Sequence, residues 1–142
     1  MGNYIYYRTS VYYDIDNAYK IGSSSNLYNR DNSYNQRDFR KGTFMKVIKI
    51  TNHSCHYAEK KLQTEFIKYN IRKGGGTDFY DKITIHLFKD VFKKYNIKYK
   101  ILSDKEIRKL MLFEKLYSYI KNNRYKIKHI LEEYRTKENN LI

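Results

Sequence analysis

The sequence predicts an α+β fold: a small, mainly antiparallel three-stranded sheet flanked by helices, followed by a C-terminal helical hairpin. Three observations carry this expectation. Short runs rich in Tyr, Ile and Val recur at 4–7, 18–21 and 43–50, and such residues favour a pleated, half-buried surface. From Ser54 onward the apolar spacing lengthens from two residues to three or four, the period of a helix. Beyond Ile101 a capping signal and a fresh apolar stripe open a second helical region, which divides the chain into a domain over 1–100 and an extension over 101–142.

In chain order, Tyr4-Ile5-Tyr6-Tyr7 and Ala18-Tyr19-Lys20-Ile21 are expected to pair as a hairpin across the polar Asp14-Ile15-Asp16-Asn17 segment. A short helix follows from Leu27 to about Asn35, with Asn26 as its cap. At 43–50, Phe44, Lys46 and Ile48 alternate with Met45, Val47 and Lys49, the pattern of a third strand. Cys55, Ala58, Leu62, Phe66 and Tyr69 then share one face of a helix over 54–69. Lys73-Gly74-Gly75-Gly76-Thr77 reads as the turn that ends it, since no Lys-Ser/Thr pair follows to make a phosphate-cradling loop. Asp78-Phe79-Tyr80 suits a short extended piece, and 85–95 another amphipathic helix.

Ser103-Asp104-Lys105-Glu106 has the spacing of a capping box, and Ile107, Leu110, Met111, Tyr117 and Ile120 supply the apolar side of the helix behind it. Asn122-Asn123 interrupts that helix, and Ile127, Ile130, Leu131 and Tyr134 mark a last one. The tail over 100–142 holds 11 basic and 6 acidic residues. That mixture of signs favours packing on the core or on a second copy of the chain, with surface lysines touching phosphate as a secondary role.

Composition limits the partners. Lys and Arg number 29 against 15 Asp and Glu, a formal charge of +14. Such an excess favours a polyanion, because each phosphate neutralised releases condensed counterions. The plainer reading is a surface kept soluble by charge, or one suited to an anionic membrane. No apolar run approaches the length that spans a bilayer and no block of consecutive basic residues is present, so nucleic acid is the favoured partner. Lys, Ile, Asn and Tyr make up 67 of the 142 residues, and all four have A/T-rich codons, so base composition accounts for part of the surplus. Cys55 is the single cysteine, which fits a reducing, intracellular compartment, and the N-terminus lacks a signal-peptide pattern. His53-Ser54-Cys55-His56 lacks the second ligand cluster that tetrahedral zinc requires.

Hydrolysis of a phosphodiester needs an activated water, a cation to take up charge on the phosphate, and usually a metal. Glu59 lies on the border of the apolar stripe of the 54–69 helix, where a carboxylate costs desolvation unless it meets a cation or metal. Mg²⁺ can be held by one carboxylate when water and phosphate supply its other ligands. Arg30 stands eight residues past Gly22, and its planar fork suits bidentate phosphate binding. Taken singly, Arg30 is a surface helix residue and Glu59 a core-edge ion-pair partner.

As an ordered set these residues resemble the GIY-YIG nuclease superfamily. Tyr4-Ile5-Tyr6 occupies the first motif, with Tyr4 in place of its glycine, and Lys20-Ile21-Gly22 the second, followed by Arg30 and Glu59. Leu62, Phe66 and Gly76-Thr77-Asp78-Phe79-Tyr80 are similar to the variant subfamily of viruses and phages, whose second motif often reads Lys-Ile-Gly. The resemblance covers about residues 4–82. It implies a metal-dependent DNA endonuclease in which Glu59 holds one divalent ion, Mg²⁺ or Mn²⁺. Arg30 would bind the scissile phosphate, and Tyr6 would line the site as hydrogen-bond partner or base of the water. Tyr34, one helical turn past Arg30, falls where family members carry His or Tyr. Arg37 and Lys41 join Lys20 and Arg30 as expected nucleic-acid contacts, with double-stranded DNA as the expected partner, a homodimer through the C-terminal helices possible, and a viral origin implied. The second-motif tyrosine is Lys20 here. That leaves three readings: an active enzyme with Lys20 as phosphate contact or base, a catalytically silent DNA-binding module, or a basic dimerising adaptor.

Overall fold

The computed structural model describes residues 2–37, 42–72 and 78–140, with the backbone alone at 11, 12, 36, 37, 139 and 140. Among them, β1 (Tyr4–Thr9), β2 (Ala18–Ser24), β3 (Thr43–Ile50), β4 (Phe79–Asp81) and β5 (Tyr99–Ile101) form one antiparallel sheet in the order β4-β2-β1-β3-β5. The class is α+β, as the sequence predicts, but with five strands instead of three. The two extra strands are three residues each, too short to show a period, and only pairing with the outer edges of β2 and β3 makes them strands. Being central, β1 is covered on both faces, which explains why Tyr4, Ile5, Tyr6 and Tyr7 are all buried.

The expected hairpin is present, with Tyr6 opposite Gly22 and Tyr7 opposite Ile21. Its connection holds one helical turn, α1 (Val11–Asp14), and reverses through Asn17, whose φ of 52° is the left-handed conformation Asn tolerates. The helix expected after it is α2 (Leu27–Arg37), and the Asn29 N–H bonds to the Asn26 side chain at 2.9 Å, as a cap should. The helix expected over 54–69 stops sooner: α3 (Cys55–Glu65) gives way at Phe66 to a 3₁₀ turn over Ile67–Tyr69. Likewise α4 (Phe88–Lys94) is preceded by a 3₁₀ stretch, Lys82–His86. It ends in a Schellman motif: Asn96 takes φ 52°, its N–H bonds to Lys93 O, and Ile97 N–H bonds back to Phe92 O at 2.8 Å. The glycine-rich turn at 73–77 lies outside the described residues.

The sheet separates two cores. On one face α3 and α4 cover Ile5, Tyr7, Ile21 and Ile48. On the other, α2 and α5 (Asp104–Asn122) cover Tyr4, Tyr6 and Val47 with Leu27, Tyr34 and Ile107. α5 opens with the expected capping box, Ser103 and Glu106 bonding each other's backbone N–H. α6 (Arg124–Asn140) follows after Asn123 alone. The two C-terminal helices expected beyond Ile101 are both present, and α5 packs on α2. Asn123, at φ −110° and ψ 16°, ends α5, the break expected at Asn122-Asn123, and α6 starts afresh with the Ile127 N–H bonded to Asn123 O. The described side chains of α6 lie almost wholly exposed.

Candidate functional site around Gly22

Backbone register creates the site. Tyr6 on β1 and Gly22 on β2 are directly opposite, and a Cβ on Gly22 would collide with the Tyr6 hydroxyl and come within 2.5 Å of its Cζ. Only glycine lets the ring lie across β2, and the Tyr6 hydroxyl thereby meets that of Tyr34 from α2 in a short hydrogen bond that either oxygen can donate. Among the described residues β4 pairs with β2 only over Ala18–Lys20, plus one further bond from Ile21 N–H to Asp78 O at 3.0 Å. Among the described residues, the stretch from Gly22 to Ser24 is therefore an edge.

Arg30 and Tyr34 approach that edge from the α2 face, and Glu59 from the α3 face. The Arg30 charge acts on both phenols, and the Glu59 charge acts on Tyr6 and Tyr80. Lys20 Nζ sits 4.5 Å from the centre of the Tyr34 ring and 5.2 Å from that of Phe79. Tyr6, Lys20, Arg30, Tyr34 and Glu59 thus gather at one place. Arg37 ends α2 one turn beyond Tyr34, and Lys41 lies outside the described residues.

Burial pushes the Tyr6 phenol well above its ordinary pKa; Tyr34 and Glu59 add to the rise, and Arg30 opposes it. Tyr34 is raised too, again by burial, but its bond with Tyr6 and the Arg30 charge pull it down. Burial holds Tyr6 protonated, and the lowered pKa a base role needs does not come from the side chains around it. Glu59 is mostly buried, its Oε2 taking a short hydrogen bond from Ser23 Oγ with His56 Nδ1 4.0 Å away, and its Oε1 3.4 Å from Gln63 Nε2. No group of three His, Cys, Asp or Glu side chains gathers among the described residues. The carboxylate has no Lys or Arg partner among the ion pairs described, and its oxygens with the Ser23 hydroxyl are hard ligands that fit Mg²⁺ or Mn²⁺, which keeps waters and takes phosphate oxygens. A shallow hollow of about 270 Å³ beside Arg30 is lined by Ser24, Asn26, Asn29 and Ser33, all hydrogen-bonding side chains of the kind a phosphate meets.

Three residues were not singled out for the site by sequence reasoning. Ser23 is found by strand alternation, which turns it to the opposite face from Gly22 and toward α3. Asp78 bonds Ile21 through its carbonyl, and its charge raises both Tyr34 and Tyr80. Arg8 is fully buried on β1, paired with Asp31 at 2.5 Å and Asn35 at 2.8 Å and lying over the Tyr34 ring, so it fastens α2 against the sheet. Only its basic character was visible beforehand.

No helix among the described residues is long and apolar enough to cross a membrane. Comparison with curated proteins and with solved structures gives no match. A family model, the T5orf172 domain, matches residues 3–110, which take in the whole sheet and the cluster around Gly22. The chain belongs to the T5orf172 domain family, which is associated with nuclease-like domains of phages.

Proposed function

We propose that this chain is a metal-dependent DNA endonuclease of GIY-YIG type that hydrolyses phosphodiester bonds at the cluster around Gly22. The observation that supports it is the Tyr6 phenol, on which the charges of Arg30 and Glu59 act together although they arrive from opposite faces of the sheet. Arg30 binds the scissile phosphate in the hollow at the start of α2, and Lys20 adds a second positive charge from β2. The paired hydroxyls of Tyr6 and Tyr34 orient water or a phosphate oxygen by hydrogen bonding, Tyr6 as donor because burial keeps its proton on. Glu59, steadied by Ser23, would hold one Mg²⁺ or Mn²⁺, and Asp78 is a second carboxylate whose charge, like that of Glu59, acts on Tyr80. Such an ion lowers the pKa of bound water and offsets charge on the phosphate.

Double-stranded DNA is the substrate favoured by the +14 charge, with Arg37 and Lys41 as further backbone contacts, in an intracellular, reducing setting during viral infection. The test is supercoiled plasmid incubated with the protein and Mg²⁺ or Mn²⁺. Nicks or breaks are expected, falling by 10²-fold or more, on the order of a lost charge-stabilising group, in Glu59→Ala and Arg30→Ala. Wild-type protein that leaves DNA intact across several divalent ions defeats the proposal. One observation favours a second reading, a catalytically silent DNA-binding module: Lys20 stands where the second tyrosine is expected, its ammonium lying over Tyr34. That reading requires salt-sensitive binding without cleavage, unchanged in Glu59→Ala.

A further inference from the structure

A hollow of about 470 Å³ lies between α5 and the end of the sheet where β1 begins. Pockets of roughly 300–1,000 Å³, with apolar walls and a few polar groups, are where small ligands bind. Tyr4 and Gly2 line the sheet side, and the Gly2 N–H bonds to Ser25 O at 3.2 Å. Gly2 serves Tyr4 as Gly22 serves Tyr6: a Cβ on it would run into the Tyr4 ring, 2.6 Å from the hydroxyl. Phe113 and Tyr117, one turn apart on α5, line the helix side with Glu114. Tyr4 is only 6 % exposed, yet its hydroxyl makes no hydrogen bond among the described residues, an unusual state for a buried polar group. Burial raises its pKa and the Glu114 charge adds to the rise, so the hydroxyl keeps a proton to donate. The Glu114 oxygens are already engaged by the N–H groups of Leu27 and Tyr28. The hollow therefore asks for a ligand with an apolar face and a neutral, hydrogen-bonding edge.

We propose that this hollow receives one unstacked nucleobase of the DNA strand whose phosphate sits at Arg30, an inference that rests on the function proposed above. Ser25 and Asn26 line this hollow and the Arg30 hollow alike, so the two adjoin. A nucleotide is a flat base joined to a phosphate, and the paired hollows reproduce that arrangement. Phe113 and Tyr117 offer rings to the face of the base, and such stacking is available to all four bases. The Tyr4 hydroxyl and the Asn26 amide, whose Nδ2 has no partner among the described hydrogen bonds, meet the donors and acceptors of its edge. Lys49, exposed at the rim and outside the described ion pairs, supplies a cation for a neighbouring phosphate. A lipid chain or apolar peptide would leave the Tyr4 hydroxyl without a partner. A base stacked within a duplex cannot enter. The substrate class therefore narrows to duplex DNA with an unpaired nucleotide beside the cut, where unstacking costs least.

Fluorescence anisotropy on the full chain in EDTA reads binding apart from cleavage. A duplex with one unpaired nucleotide at its centre should bind about tenfold or more tightly than the fully paired duplex, the order that one base–aromatic stack supplies. An abasic residue in place of that nucleotide keeps the phosphate and removes the base, and should abolish the gain. Phe113→Ala/Tyr117→Ala should bring the unpaired duplex down to the affinity of the paired one. Both side chains are more than half exposed, so their loss opens no core. Tyr4→Phe keeps the ring and removes the hydroxyl, and should cut the gain several-fold. Equal affinity for paired and unpaired duplexes, a gain kept by the abasic duplex, or a gain indifferent to these variants overturns the inference and leaves the endonuclease standing. Failure to bind any duplex overturns both. Free deoxynucleoside monophosphate that displaces the unpaired duplex at micromolar concentration would assign the hollow to a small nucleotide instead, and also overturns it.

Discussion

Gly22 shows how one missing methyl group decides a site. The Tyr6 ring is fully buried and cannot swing away, so an alanine there must displace the ring, the strand or both. Forcing a methyl into a packed place costs about 1–3 kcal/mol. Gly22→Ala is therefore expected to lower the urea midpoint by that much and to lose nearly all plasmid nicking, since the displaced hydroxyl leaves Tyr34. In a Tyr6→Phe background the same substitution should cost less, because the hydroxyl is the nearest colliding atom; equal costs in both backgrounds would contradict the stated cause. Arg8 works differently. It is a fully buried cation whose Nε lacks a hydrogen-bond partner among the described residues, tolerated because Asp31 and Asn35 of α2 engage its other nitrogens. The site helix is thus tied to β1 at 31 and 35, on either side of Tyr34.

At the scale of elements, α2 is completed by a helix far along the chain. Asn26 satisfies the Asn29 N–H, but those of Leu27 and Tyr28 go to the Glu114 carboxylate of α5, at 3.0 and 3.4 Å. Burial outweighs these donors and raises the Glu114 pKa above the ordinary carboxylate range. The folded state therefore holds that proton more tightly than the unfolded chain, and the stability Glu114 contributes is full at low pH and lost as pH rises through the raised pKa. Glu114→Gln should keep an acceptor and flatten that dependence at pH above the ordinary Glu pKa of about 4.3. Glu114→Ala should cost about 1–2 kcal/mol in urea titration by stripping two donors. A wild-type profile no steeper than that of the Gln variant would refute this assignment. β1, β2, β3, the Asn26 cap and the Ser103 box were legible in the sequence, because each depends on spacing or on neighbours within a few residues. Glu114, β4 and β5 were not, since each is defined by a partner dozens of residues away. The site divides the same way: Tyr6, Lys20, Arg30, Tyr34 and Glu59 could be found from their order along the chain, whereas Arg8, Ser23 and Asp78 matter only through contacts across the sheet.

For the whole molecule the dominant quantity is charge. If DNA binding neutralises phosphates, the logarithm of the affinity should fall linearly with that of salt concentration, by about 0.9 per phosphate contacted. Arg30→Ala should lower that slope by about 1 and weaken all sequences alike. A slope near zero in fluorescence anisotropy would mean the positive charge has another purpose. The reach of Glu114 also has a bearing on synthesis. It lies 87 residues beyond Leu27 and past the end of the family match at residue 110. A nascent chain emerging from the ribosome holds the Arg30 helix with two open donors until Glu114 has been made, so the first turn of that helix is sealed only after every strand of the sheet has been synthesised.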